Sequence, residues 1–429
     1  MTDIYCPEKK RWSDEIGKFI EIFLLRFAAL AAAFGSTVWV TRCFGPEKAG
    51  VTALVMAYVS QAALFVSCSQ DAQLVRCYRL APEAERQNIV TTALSFRAYS
   101  SLAIAIVAFT VVSFLGLFNS WRWALIGAGL QLIADSCSPA WIAQATGRGE
   151  LQVRFASISK IVGGICVLLL LRSRTMAGFD YVLLSVGSVF GLVYGWFVVA
   201  NLFSVRPVLS LAGAVRWFDV LRSGRWLFVT GLLAYCYTNA DCFFVSLYRE
   251  IKDVGIYRTA LQVNSGITAF TAMVPLLLYP KLIDWHRDGF AHLYAQQVKL
   301  VMRITAVAVP VAVVATFVAI RYYGLIFGEL YRDGVWPCIL LLYSKVMIVL
   351  NGVFAWGLWA ANRDKQMFFV VMAAAGFAIL AFNLTVPRCG ATGAASVNLV
   401  AETGIFAATW LLCKQASIFD TKEPCEPEI

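Results

Sequence analysis

The stretch FDYVLLSVGSVFGLVYGWFVVANLF, Phe179 to Phe203, holds one acid at its second position and no other charged residue. An uninterrupted apolar run of this length fits a helix crossing the hydrocarbon core of a bilayer, which takes about 20 residues. The same pattern recurs on both sides of it. Between Lys18 and Lys414 about twelve apolar stretches of roughly twenty residues follow one another with short connections. They place spans at 16–40, 48–68, 89–118, 121–145, 153–172, 179–203, 224–248, 254–280, 297–321, 336–360, 365–385 and 391–413. Strands of a membrane barrel alternate apolar with polar residues, whereas these runs are continuous, so the chain reads as an all-α polytopic membrane protein.

Composition agrees, with 60% hydrophobic residues, 14% charged residues and a mean hydropathy of +0.70. No aqueous domain of useful size remains. The first apolar stretch follows Lys9, Lys10 and Arg11, yet it outruns a signal core and lacks a small-residue cleavage site, which makes it a first span. Basic residues orient the chain: about 21 Lys and Arg fall on the side that holds both termini and about 10 on the other, so the termini are expected in the cytoplasm. The net charge of +10 then has a membrane explanation, and no nucleic-acid partner is expected. Cysteines are scattered singly, with Cys43 and Cys389 the pair that orientation places together outside. His286 and His292 have no cysteine or acidic cluster to complete a metal set, so neither a metal nor another cofactor is expected. Walker loops, nucleophile elbows and GxGxxG are absent from the sequence, and the chain is not expected to be an enzyme.

The sequence repeats itself. AWIAQATGR (Ala140 to Arg148) is echoed by AWGLWAANR (Ala355 to Arg363), and PEKAG (Pro46 to Gly50) by IKDVG (Ile251 to Gly255). Both offsets are about half the chain, as parallel repeats of a transporter require. The expected organisation is an N-terminal six-helix bundle at 1–203, a cytoplasmic linker at 204–223 and a C-terminal six-helix bundle at 224–429. In the linker, Val215, Phe218 and Leu221 recur at helical spacing opposite Arg216 and Asp219, the pattern of a helix lying flat on the inner leaflet.

Ionisable groups inside spans carry the remaining chemistry, since each costs about 2.5 to 3.5 kcal/mol at a helix centre. Arg26, Arg97, Arg258 and Lys345 are the candidate cations for an anionic head group, guanidinium forks being suited to phosphate oxygens. Asp135, Asp241 and Glu402 are the candidate acids, able to bind H⁺ or Na⁺ and couple its gradient. Gln131 shares a face with Asp135, Asn398 with Glu402, and Gln61, Gln131, Asn264 and Asn351 are candidate glycan contacts. Asp241 and Arg258 lie at matching depths either side of a turn near Glu250 and are placed to neutralise each other. Arg303 and Lys160 read as snorkelling residues near span ends. Pro275, Pro280 and Pro310 mark candidate bends.

Five segments carry a resemblance: VTRCFGPEKAG (40–50), SPAWIAQATGRGEL (138–151), YTNADCFFVSLYREIKDVGIYRTA (237–260), FGELYRDGVWP (327–337) and LTVPRCGATGAASVNLVAE (384–402). Together they resemble the polysaccharide transporter, or Wzx-type flippase, branch of the multidrug/oligosaccharidyl-lipid/polysaccharide exporter superfamily. The resemblance implies a MATE-like V of two six-helix bundles around a cationic cavity in the bacterial inner membrane. It implies movement of a polyprenyl-diphosphate-linked oligosaccharide from the cytoplasmic to the periplasmic leaflet by alternating access, for O-antigen, capsule or exopolysaccharide assembly. Membrane lipids and other surface-glycan assembly proteins are the implied partners. Asp241 falls on the acid of the family's N-x-D-like pattern, here Asn239 to Asp241, while Arg258 departs from it, since the position after GIY is commonly small or uncharged. A drug or organic-cation antiporter of the same superfamily is the alternative, which the intramembrane cations oppose. A membrane-embedded glycan polymerase or ligase is a weaker one, because the longest outward connection, around Tyr322 to Trp336, is only about fifteen residues.

Overall fold

The computed structural model describes residues 7–68, 70–114, 116, 118–172, 176–223, 225–238, 240–271, 281–282, 284–361 and 363–419. Where described, the chain is helical: α1 Pro7–Cys43, α2 Pro46–Ser67, α3 Asp71–Leu80, α4 Glu83–Phe114, α5 Phe118–Ser136, α6 Ala140–Ala145, α7 Gly149–Leu170 and α8 Phe179–Phe203. Then come α9 Leu211–Ser223, α10 Arg225–Thr238, α11 Asp241–Tyr248, α12 Ile251–Thr271, α13 Phe290–Phe327, α14 Val335–Ala360 and α15 Asp364–Phe419. Eight described helical segments are long and apolar enough to cross a membrane. The protein is an all-α polytopic membrane protein, and over the described residues each expected span coincides mainly with a helix or a pair of helices.

Three interruptions refine the span map. The stretch 121–145 is not one helix: α5 stops at Ser136 and α6 restarts after Pro139, whose ring and missing N–H bar a continuous ladder. The stretch 224–248 breaks between α10 and α11, immediately before Asp241. In α15 the last two spans are joined through Gly390, whose φ of 55° and ψ of −135° break the helix three residues after Pro387. The connection at 322–336, expected on the outer side, is also more ordered than a loop. It comprises the end of α13 and a 3₁₀ turn, Glu329–Gly334, with buried Tyr331 donating its hydroxyl to Phe44 O at 3.3 Å.

The chain divides into two compact units, residues 1–43 with 58–228, and residues 44–57 with 229–429. In the first unit, α8 aligns Gly187, Gly191 and Gly195 on one buried face against α7. A Cβ built on Gly187 would stand 2.2 Å from Ser159 O, so the two backbones meet where a side chain has no room. The linker helix α9 belongs to this unit and packs on α4. Its protein-facing residues are Gly213 and Trp217, the indole stacked on Phe96 at 5.1 Å, whereas Val215 is 68% exposed. Trp217 lies two positions from Val215, so the face of α9 that packs on the protein is not the one that carries Val215. The side chains of Phe218, Asp219 and Leu221 lie outside the described residues, as do Pro275 and Pro280.

The two sequence echoes have structural counterparts. Arg148 N donates to Ala143 O at 2.9 Å, and Arg363 N to Leu358 O at 2.9 Å, one hydrogen-bond frame closing both segments. Each guanidinium then lies over a phenylalanine ring, Arg148 on Phe203 at 5.7 Å and Arg363 on Phe290 at 5.1 Å. In the second echo the segments pack against each other: a Cβ on Gly50 would meet Ile251 O at 2.0 Å, and one on Gly255 would meet Pro46 O at 2.2 Å.

Gly187→Leu is therefore expected to cost about 3 kcal/mol or more through overpacking against α7. Fluorescence-detected size-exclusion chromatography of the variant should show loss of the monodisperse peak, and an unchanged profile would contradict the backbone contact.

Candidate functional site

The second unit gathers most of its membrane-embedded polar groups around the break before α11. Asp241 is the first residue of α11 and only 2% exposed. Its Oδ1 accepts from Cys242 N at 2.7 Å, satisfying one of the N–H groups that a new helix start leaves open. Its Oδ2 accepts from Tyr257 Oη at 2.7 Å and from Asn398 Nδ2 at 2.8 Å. The depth-matched pairing with Arg258 does not occur: among the described residues no salt bridge joins them. The reason is angular. Tyr257, one position earlier on α12, turns into Asp241, which rotates Arg258 away to place its Nη2 at 3.7 Å from Met56 Sδ.

A second polar group stands on the same limb of α15. Glu402, 5% exposed, accepts from Asn351 Nδ2 at 2.5 Å, and half-buried Lys345 on α14 lies within electrostatic reach of it. Asn398 and Glu402 thus bind Asp241 and Asn351 side by side, as their shared helical face predicts. Asn264 is buried and donates to Ala260 O at 2.9 Å and Cys338 O at 3.1 Å, so its amide is occupied by the protein.

In the first unit, Gln131 Nε2 donates to Asp135 Oδ2 at 2.6 Å, and both Asp135 and Arg26 lie within electrostatic reach of Lys160. Asp135 is exposed, and Arg26 and Gln61 are half-buried. Lys160, read as a snorkelling residue, sits midway along α7.

Arg97 is placed differently from the other cations. It is 4% exposed, and its Nη2 lies 2.5 Å from Asp71 Oδ1, at the start of α3. The guanidinium Cζ also lies 5.8 Å from the centre of the Trp217 ring. Arg97 therefore ties α4 to α3 and to α9. The acids and rings that complete these clusters, Asp71, Trp217 and Tyr257, were not marked by sequence. They adjoin the charged positions in space and not in span order. Asn239 and the side chains of Tyr237 and Ser265 lie outside the described residues.

The profile of a family described as "Polysaccharide biosynthesis protein" matches residues 39–351. No curated protein matches the chain. Among solved structures, the chain is similar to the lipid II flippase MurJ in an inward closed conformation, with a TM-score of 0.72 at 13% identity over 92% of this chain and 87% of that one. It is similar to a mutant of the Vibrio cholerae MATE transporter VcmN, with a TM-score of 0.60 at 11% identity over 94% of this chain and 98% of that one. A third similar structure is a multidrug/oligosaccharidyl-lipid/polysaccharide superfamily transporter from Pyrococcus furiosus, with a TM-score of 0.53 at 13% identity over 94% of this chain and 96% of that one. At these identities the likeness is one of fold.

The Asp71–Arg97 pair predicts an inversion of the usual exposure rule. The Asp71 side chain is 59% exposed, so its loss would ordinarily be mild, yet Asp71→Ala strands a buried guanidinium. Asp71→Ala is expected to cost about 3 kcal/mol, and to destabilise the detergent-solubilised protein more than Arg97→Met does. Melting temperatures of the two variants check the order.

Proposed function

The chain belongs to the polysaccharide biosynthesis protein family, and on that footing we propose that it is a flippase for a polyprenyl-diphosphate-linked oligosaccharide. The substrate moves from the cytoplasmic to the periplasmic leaflet of a bacterial inner membrane, by alternating access, for assembly of a surface polysaccharide such as O-antigen, capsule or exopolysaccharide. Both termini face the cytoplasm. One observation carries this reading: Arg258, half-buried on α12 within the stretch expected to span the membrane, meets a thioether and, among the described residues, forms no ion pair with a carboxylate. An unneutralised guanidinium at membrane depth is costly, and binding an anion such as a diphosphate offsets that cost. Lys345 of the same unit supplies further positive charge. A lipid II flippase is among the proteins that share this fold, which supports a lipid-linked substrate.

The chemistry of the task fits these groups. A diphosphate and its sugars cannot enter hydrocarbon unaided, while the polyprenyl tail never has to leave it, so the protein needs to solvate the head group alone. No covalent bond is made or broken. Asp241 is the proposed coupling acid: it is buried against three neutral donors, and its charge is compensated by H⁺ or Na⁺ when the ion is bound. Glu402 beside Lys345 is a second candidate for that role. An exporter of organic cations would be served poorly by Arg258 and Lys345, which repel its substrate.

Complementation of a flippase-deficient strain tests the reading. Arg258→Ala and Lys345→Ala, at normal membrane abundance, are each expected to cut surface glycan about tenfold or more, as loss of a charge-assisted contact to the anion predicts, and to leave lipid-linked precursor in the inner leaflet. Full surface glycan in both variants would overturn the anion site. Asp241→Asn is expected to flip head group in proteoliposomes at a rate that no longer responds to an imposed H⁺ or Na⁺ gradient. A variant that still follows the gradient removes Asp241 from the coupling step.

A further inference from the structure

The two limbs of α15 leave a groove of about 690 Å³ between them. Its lining runs over residues 366–377 of one limb and 400–415 of the other, which at 1.5 Å per residue is a depth of about 16 to 22 Å. One leaflet of hydrocarbon is about 15 Å deep. The groove therefore occupies a single leaflet, the one nearest the two ends of α15. Ala374, Ala401, Gly404 and Ala408 are among its lining residues and leave the space open, while Phe369 and Phe377 lend it aromatic surface.

One end is polar. Gln366 and Gln415 line the groove where the two limbs begin and end, and exposed Lys365 and Lys414 stand next to them in sequence. The Lys414 ammonium lies 5.4 Å from the Trp410 ring centre, at the level where an amphipathic ring meets the interface. An apolar slot about one leaflet deep, with two amides lining one end and a flexible, exposed lysine one residue from each in sequence, is complementary in charge and length to a lipid with a short chain and an anionic head. A polyprenyl chain is much longer than the slot.

We propose that this groove binds an anionic glycerophospholipid of the bilayer, with an acyl chain between the limbs and its phosphate at Lys365 and Lys414. Such an anionic site at the mouth of a helix pair follows the general attraction of basic interfacial residues for acidic lipids. Ala401 faces the groove, while Asn398 and Glu402 of the same limb hold Asp241 and Asn351. The bound lipid thus braces, from behind, the limb that carries the buried polar groups. This inference is independent of which head group the protein moves.

Native mass spectrometry of the full-length protein, released from mild detergent in the presence of phosphatidylglycerol or phosphatidylcholine, tests it. The wild type is expected to retain phosphatidylglycerol roughly tenfold better or more. Lys365→Gln with Lys414→Gln, both at exposed positions, should abolish that preference. Gly404→Leu should displace the lipid altogether: a Cβ there meets no atom within 4 Å, so the side chain enters the groove without disturbing the helices. Equal retention of the two lipids by the wild type, or undiminished phosphatidylglycerol in Gly404→Leu, overturns the proposal. So does displacement of phosphatidylglycerol by an equal concentration of undecaprenyl phosphate, which would assign the groove to the tail of the transported lipid.

Discussion

A chain immersed in hydrocarbon has no water with which to satisfy a broken helix, so every interruption of a span has to be closed by the protein's own donors and acceptors. The interruptions here are closed in three ways. Before α6, the indole of Trp196 donates to Cys137 O at 3.0 Å, taking one of the carbonyls left open where α5 ends. Before α11, the carboxylate of Asp241 takes the N–H of Cys242. At the Gly390 kink, Arg249 donates to Val386 O, Pro387 O and Arg388 O, at 3.4, 2.9 and 3.0 Å. Arg249 lies in the short turn between α11 and α12, so one guanidinium closes the end of a limb that is distant in sequence. Unpaired backbone in lipid costs several kcal/mol per group, and these contacts decide where a span can break at all.

The same constraint sorts the charges. Arg97 and Arg258 look alike in sequence, single arginines within apolar runs, but their surroundings differ. Arg97 has an acid and an indole face and links three helices of its unit. Arg258 has a sulfur atom as its hydrogen-bond partner among the described residues. Arg97 has its Nη2 held by a carboxylate, although its buried Nε has no hydrogen-bond partner among the described residues, whereas Arg258 meets only a weak acceptor there, and donors left to a weak acceptor can serve an incoming anion. Burial alone does not sort the two: the more buried one, Arg97, is the one that holds an acid of its own unit.

That distinction marks the limit of what the sequence could reveal. Hydropathy located the spans, and the limits of 179–203 coincide with those of α8. The echoes also held, down to a shared hydrogen bond, because a repeated turn needs the same residues at the same offsets. Pro139 was a legible signal for the break in 121–145 and was outweighed by the continuity of the apolar run. The break before Asp241 had no comparable marker, since an acid is unremarkable as a helix start in water and exceptional only at membrane depth. Pairings failed for a different reason. Matching depth says that Asp241 and Arg258 are level, but a helix turns about 100° per residue, and whether position 257 or 258 faces the acid depends on rotation about the helix axis. Asp71 illustrates the converse: it lies 26 residues from its partner, on a short helix outside the spans, where a search confined to intramembrane acids does not look.

Sequence repetition and chemical asymmetry then fit together. The repeat reproduces the scaffold, as the matched frames at Arg148 and Arg363 show, but the polar groups mounted on it have diverged. In the first unit the carboxylate of Asp135 is exposed and has Gln131 and Lys160 beside it. In the second unit Asp241 is buried against neutral donors and, among the described residues, forms no salt bridge. A buried carboxylate without a salt-bridge partner gains by taking up a proton or a metal cation. A gradient acts through a group whose charge is left unbalanced by the fold. By that criterion Asp241 is the acid to which the proposed ion coupling points.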